Sequence, residues 1–180
     1  AASAATGLLQ VTAAYIGFLV KMAKQLDEVA ATFAKSTGTG RKFQAQINDS
    51  AMDLYAFGLG MEEAGAAMGA LTNTFSGFNR MGTETQNSLA VTVAKFDAMG
   101  VAADQSVAFL TMSTKALGMT EKQAESTMLK ISMMGTAIGA GPAEIMREYT
   151  SAMPYLTQFG NRAEEVFIGM IGMAEATGVS

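Results

Sequence analysis

The sequence predicts an all-α fold: a long N-terminal amphipathic, coiled-coil-like helix followed by an array of short helices joined by glycine turns. Three observations carry this. Apolar residues recur at helical spacing almost throughout, capping sequences and glycines punctuate the chain about every 20 residues, and no segment alternates apolar and polar residues between hairpin turns. With 180 residues, 49% of them hydrophobic and only 16% charged, the chain can bury a sizeable core and does not read as a disordered tail.

The first element, within residues 1–36, carries two heptad rows. Leu8, Tyr15, Met22 and Val29 form one, and Thr12, Leu19, Leu26 and Phe33 the other. Read as a coiled coil, Leu8, Tyr15, Leu19, Met22, Leu26, Val29 and Phe33 make the seam of a homo-oligomer. The additional apolar Ile16, Phe18 and Val20 suit equally an ordinary helix packed on a globular core. Both readings stand at this point.

Residues 37–43 form a turn, because the stretch Ser36-Thr-Gly-Thr-Gly40 favours turn conformations over helix. From residue 44 to 180 the chain reads as a helical array. Phe43, Ile47, Ala51 and Leu54 open it, and Gly60, Gly82, Gly100, Gly118, Gly139, Gly160 and Gly178 then fall 18 to 22 residues apart, a degenerate repeat.

Each helix start has a physical rationale. Thr83 with Gln86, Thr120 with Gln123, and Asn161 with Glu164 place a capping oxygen three residues before a Glu or Gln, the reciprocal arrangement that satisfies free N–H groups. Gly141 followed by Pro142 pre-sets the first helical torsion. Acidic residues such as Glu62, Glu63, Asp104, Glu121, Glu144 and Glu165 gather in first turns, where the helix dipole favours them.

Between the caps run apolar stripes: Met61, Ala64, Met68, Leu71, Phe75 and Phe78; Val107, Leu110, Thr114 and Leu117; Met128, Ile131 and Ile138; Ile145, Tyr149, Ala152, Leu156 and Phe159. Pro154 is expected to kink or split the last of these near Met153. Gly178, Val179 and Ser180 read as the opening of a further unit, as at Gly118, Met119 and Thr120, so the array is expected to be cut within a repeat.

Chemistry is sparse. Cysteine and histidine are absent, which removes thiolate nucleophiles, imidazole bases, the usual zinc ligands and disulfides from this chain. Gly38-Thr-Gly-Arg-Lys42 lacks the spacing of a phosphate loop and Phe43 follows the lysine. Asn48-Asp49-Ser50 is a formal glycosylation acceptor without a secretory context. Glu62/Glu63 and Glu164/Glu165 are adjacent helical residues that point in different directions, so first-turn placement explains them better than acid–base work. The small residues four apart, Gly65/Gly69 and Gly135/Gly139, fit close helix packing, and the 15 methionines fit adaptable packing. No catalytic constellation, cofactor site or metal site is expected.

A net charge of −4 without any run of like charges argues against nucleic-acid binding. The apolar stretch from Leu8 to Val20, about 13 residues broken by Gln10 and Thr12, is too short for a membrane-spanning helix of roughly 20 residues. It also precedes its basic residues, the reverse of a signal peptide.

The order of a heptad-like helix, the segment FAKSTGTGRKF from Phe33 to Phe43, the unit LGMTEKQAE from Leu117 to Glu125 and the closing FGNRAEEVFIGMIGMAEATGVS from Phe159 resembles tape-measure proteins of long-tailed bacteriophages, over about residues 8–180. That resemblance implies a multi-copy helical protein of the virion, assembled in the host cytoplasm and held in the lumen of the tail tube. It would set tail length, associate with the tail tube protein and with baseplate or initiator proteins, and leave ahead of the DNA, contacting a membrane only at ejection. Two rival classes are a helical-repeat protein-interaction scaffold, against which the irregular 18-to-22-residue spacing counts, and a membrane-active helical protein.

Overall fold

Helix α1 runs from Ala2 to Thr37 in a computed structural model that describes the backbone of residues 2–178 and the side chains of residues 16–174 and 176–178. At about 1.5 Å per residue it is ~54 Å long. It is followed by α2 (Gln44–Leu54), α3 (Met61–Thr74), α4 (Thr83–Ala98), α5 (Ala103–Ala116), α6 (Glu121–Ala137), α7 (Pro142–Leu156) and α8 (Ala163–Thr177). Short 3-10 turns at Tyr55–Phe57, Phe78–Arg80 and Thr157–Arg162 complete the order, and there is no strand among the described residues.

Every pair of helices in extended contact consists of first or second neighbours along the chain. Helices α1, α3, α5 and α7 pack successively in one row, and α2, α4, α6 and α8 in the other. The array therefore grows by two helices at a time. Ile47, Gln86 and Ala124, the fourth residues of α2, α4 and α6, are buried, as is Ala163 at the start of α8, at intervals of 39, 38 and 39 residues; Ala51, Ala90, Met128 and Phe167 are buried at the same intervals. In the other row Met68, Leu110 and Tyr149 correspond, 42 and 39 residues apart and all fully buried. The 20-residue glycine punctuation counts single helices, whereas the packing repeat is twice as long.

One continuous hydrophobic cluster extends from Phe33 to Phe167. Two aromatic groups pin it. Phe43 meets Phe33 edge-on at 5.6 Å and stacks on Phe78 at 5.9 Å, joining the end of α1 to the start of the array. Tyr149 lies 5.0 Å from Phe109 and 4.9 Å from Phe167, so α5, α7 and α8 converge on one ring.

The helix starts differ in how they are closed. Thr120 accepts the Gln123 N–H at 3.3 Å while the Gln123 side-chain oxygen accepts the Thr120 N–H at 2.9 Å, and Gly141 precedes Pro142 in the first turn of α7. At Gly60 the Glu63 carboxylate accepts the backbone N–H at 2.8 Å, half of the same arrangement.

Two expected caps are corrected. The residue before α4 is Gly82, and Thr83 already lies inside the helix; Gln86 is buried and donates to the Phe78 carbonyl at 2.8 Å, tying α4 to the preceding turn. Asn161 lies inside the 3-10 turn, two residues before α8 begins. Glu164 turns inward to α6, accepting from Thr127 Oγ1 at 2.5 Å and Lys130 Nζ at 2.8 Å. In both cases a tertiary partner captures the side chain that spacing alone assigns to the local cap.

Pro154 does not split α7, which continues to Leu156. The proline faces solvent near the helix end, so water can serve the carbonyl that loses its helical N–H partner. Phe159, placed in the α7 stripe by sequence, is exposed in the following 3-10 turn. Gly60 and Gly82 are helix-leading residues with negative φ, and Gly58 (φ 75°) and Gly77 (φ 93°) take the left-handed turn positions.

Small residues matter where helices approach closely. A Cβ on Gly65 would lie 2.3 Å from Val29 Cγ1, and one on Gly135 would lie 2.6 Å and 2.9 Å from Ile145 Cγ2 and Cβ. Gly135→Ala is therefore expected to cost about 1–3 kcal/mol in urea unfolding. Gly172→Ala, in the interior of α8 with nothing within 4 Å, is expected to gain about 0.5–1 kcal/mol. Equal effects at the two sites would refute the packing account.

Candidate functional site

The seam expected along α1 divides in two. Val29 sits against Gly65, Phe33 is buried near Gly69, and Met22 and Leu26 pack on the same core. These four are therefore not free to form an oligomer seam, because α3 already occupies their face. The side chains of Leu8 and Tyr15 lie outside the described residues. Leu19 is exposed, and with Ile16, Phe18 and Val20 it makes an apolar surface around the helix before it reaches the body.

This projecting arm is also basic. Lys21 and Lys24 follow the apolar residues, and no acidic residue precedes Asp27. Residues 1–26 contain two basic and no acidic side chains, a net +2, and the rest of the chain carries −6, which together give the total of −4. The arm and the body have opposite signs.

At the other end, α8 is apolar and uncharged from Val166 to Ala174, between Glu164 and Glu165 at its start and Glu175 near its end. Ala163 and Phe167 are buried against α7 and α6, but Met170 is 48% exposed and Met173 65%. Met170 corresponds to Leu54, Val93 and Ile131, each fully buried in its own helix, at intervals of 39, 38 and 39 residues. Its exposure thus marks a position that the repeat covers everywhere else.

Polar links between repeats recur with the same period. Ser88 and Thr92 of α4 donate to the Glu125 carboxylate of α6 at distances from 2.8 to 3.1 Å, and Thr127 and Lys130 of α6 donate to Glu164 of α8, 39 residues beyond Glu125. Each carboxylate fixes the spacing of two stacked helices. The Lys130–Glu164 pair leaves Glu164 mostly covered, whereas Arg41–Asp27 at 3.3 Å and Arg162–Glu165 at 3.7 Å are exposed and contribute little.

A cleft of about 470 Å³ opens between Phe57, Leu59, Phe96, Met99 and Leu129, with the Lys95 ammonium 3.7 Å from the centre of the Phe57 ring. Its lining is apolar apart from Thr92 and that lysine. The GTGRK segment is used structurally: Arg41 reaches Asp27, and Lys42 donates to the Asn79 carbonyl at 3.2 Å.

Among the described residues no group of three or more acidic side chains is placed to hold a metal ion. Among the described residues no helix is long and apolar enough to cross a membrane. Tyr149, buried with no protein partner for its hydroxyl, has its pKa pushed from 10.0 up to about 12, first by desolvation and then by the Glu164 charge.

The sequence reading missed the exposed end of α8 and the inter-repeat carboxylates. Comparing positions 38 to 42 residues apart, rather than 20, is the signal that finds them. Fold and surfaces together define an all-α stacked array whose first helix exposes apolar residues and lysines and whose last described helix exposes Met170 and Met173. Compared with known protein families, curated proteins and solved structures, the chain matches none of them.

Proposed function

We propose that the chain is a structural, non-enzymatic part of a phage tail tape-measure protein, held in the tail tube lumen during assembly and released at ejection. The resemblance of Phe33–Phe43, Leu117–Glu125 and Phe159–Ser180 to that family supports it. So does one structural observation: the extended helix contacts are all between first and second neighbours, so length is proportional to the number of repeats. In this reading the long amphipathic α1 leads the array, several copies lie side by side, and tube and initiator proteins are the partners.

The packing also changes the ruler's scale. Stacked helices lie 8–10 Å apart, so a folded two-helix unit advances ~10 Å, against ~57 Å for the same 38 residues as one continuous helix. Three further copies of residues 83–120, inserted in frame after Thr120 in the gene that encodes the chain, keep the packing register. Tails longer by ~30 Å in electron micrographs are expected for a folded ruler. Lengthening by ~170 Å would mean the array is drawn out in the tube; unchanged tail length would overturn the length-setting role.

A second reading, a helical-repeat protein-interaction scaffold, is favoured by the 38-to-42-residue packing repeat, which is more regular than the glycine spacing. It predicts unchanged tail length in the same experiment.

A further inference from the structure

We infer that the cleft between the end of α2, the last turns of α4 and the middle of α6 binds a single-chain fatty carboxylate, its acyl chain on the apolar walls and its carboxylate on Lys95. The inference goes beyond the structural role proposed above and does not depend on it.

The cleft arises from a break in the packing repeat, well inside the array. Leu54 of α2 and Val93 of α4 are equivalent buried positions 39 residues apart. The bonds that close the two helices are instead 42 residues apart: the Leu59 N–H donates to the Leu54 carbonyl at 3.2 Å, and the Val101 N–H to the Phe96 carbonyl at 2.9 Å. The difference, 42 against 39, means that α2 stops three residues, almost one turn, before α4 does. Phe57 records the same displacement. It corresponds to Phe96, which is 1% exposed, yet in the 3-10 turn that ends α2 it is 61% exposed. The surplus turn of α4 forms the floor of the cleft, through Phe96, Ala98 and Met99, and Leu129 of α6 forms its far wall.

The lining selects the ligand. A volume of about 470 Å³ suits a small molecule. Apart from Thr92 the walls are apolar, no acidic residue takes part, and Lys95 is the one charged side chain. Its ammonium lies 3.7 Å from the centre of the Phe57 ring and pairs with no carboxylate among the described residues. One side of that ammonium rests on the ring, which leaves N–H donors for an anion. Other grooves of the array carry carboxylates instead: Glu28 and Glu62 between α1 and α3, and Glu164 between α6 and α8. An apolar chain with one negative end uses both features of this cleft. A cationic amphiphile would oppose Lys95, and an uncharged one would leave it unused.

Calorimetric titration of the full chain tests this with decanoate, and with decyltrimethylammonium as the same chain under the opposite charge. One decanoate should bind per chain with a Kd below ~1 mM. Octanoate should bind about tenfold more weakly, because two fewer methylenes leave water. The net charge of −4 attracts the cation over the whole surface, so tighter binding of decanoate reports a local cationic site. Lys95→Gln should weaken decanoate about fivefold. Ala98→Leu, which fills the cleft from an exposed position, should weaken it about tenfold or more. Lys115→Gln, at an exposed lysine of α5, should leave it unchanged. The methyl NMR signals of Met99 and Leu129 should shift in step with the calorimetric signal.

Three results would each overturn the inference: no binding at decanoate concentrations on the order of 1 mM, binding of the cation as tight as or tighter than that of decanoate, or a Lys95→Gln chain that binds as tightly as the unmodified one. Circular dichroism identifies a variant that misfolds. Leu129→Gln, at an exposed position on α6, then replaces Ala98→Leu, with the same loss expected.

Discussion

Replacing Phe43 by alanine is expected to destabilise the chain by about 3–5 kcal/mol in urea unfolding, the usual range for a buried phenylalanine. Phe43 is fully buried between Phe33 of α1 and Phe78 of the turn before α4. Its loss leaves a cavity where three segments meet, and none can close it without breaking another contact. The damage should be concentrated at one end. Amides of α1 and α2 should lose hydrogen-exchange protection first, while α6 and α7, in contact neither with Phe43 nor with its ring partners, should keep theirs longest. Equal loss of protection everywhere would contradict the neighbour-only packing.

Tyr149 is the second such position, and its two halves act in opposite directions. Tyr149→Ala removes the ring on which Phe109 and Phe167 converge and should cost about 3–5 kcal/mol. Tyr149→Phe keeps the ring and removes a buried hydroxyl that has no protein partner, so it should be neutral or stabilising by about 1 kcal/mol. The pH dependence follows from the raised pKa of about 12 against 10.0. Because the folded chain holds the neutral phenol more tightly than the unfolded chain does, the contribution is fully present below pH 10 and is lost as pH rises toward 12. Tyr149→Phe should remove that alkaline loss. An alkaline unfolding profile unchanged by the substitution would show that Tyr149 is not the group responsible.

The all-α class and several helix starts were legible in the sequence because they depend on local chemistry. Thr120 with Gln123 needs only its own backbone, and Gly141-Pro142 needs only a fixed torsion. Thr83 with Gln86 and Asn161 with Glu164 have the same spacing, yet Gln86 and Glu164 face other helices and bond there. The heptad rows of α1 were legible as an amphipathic face but not as to what covers it, since Leu26, Val29 and Phe33 satisfy the spacing equally against α3 or against another copy. The packing repeat was hidden for a related reason. Glycine turns mark every helix, while alternate helices fall in different rows, so the period of 38 to 42 residues emerges only from burial. The face at Met170 became visible only by comparison with Ile131 and Val93, one and two repeats earlier.

Contacts confined to neighbouring helices have a consequence for how the chain is made and unmade. No helix waits for a distant partner, so each hairpin can dock on the one before it as synthesis proceeds, a topology of low contact order that favours rapid folding. The reverse also holds. A pull on either terminus is expected to meet a series of small barriers, about one per hairpin, rather than a single large one, as in other stacks held by nearest-neighbour contacts.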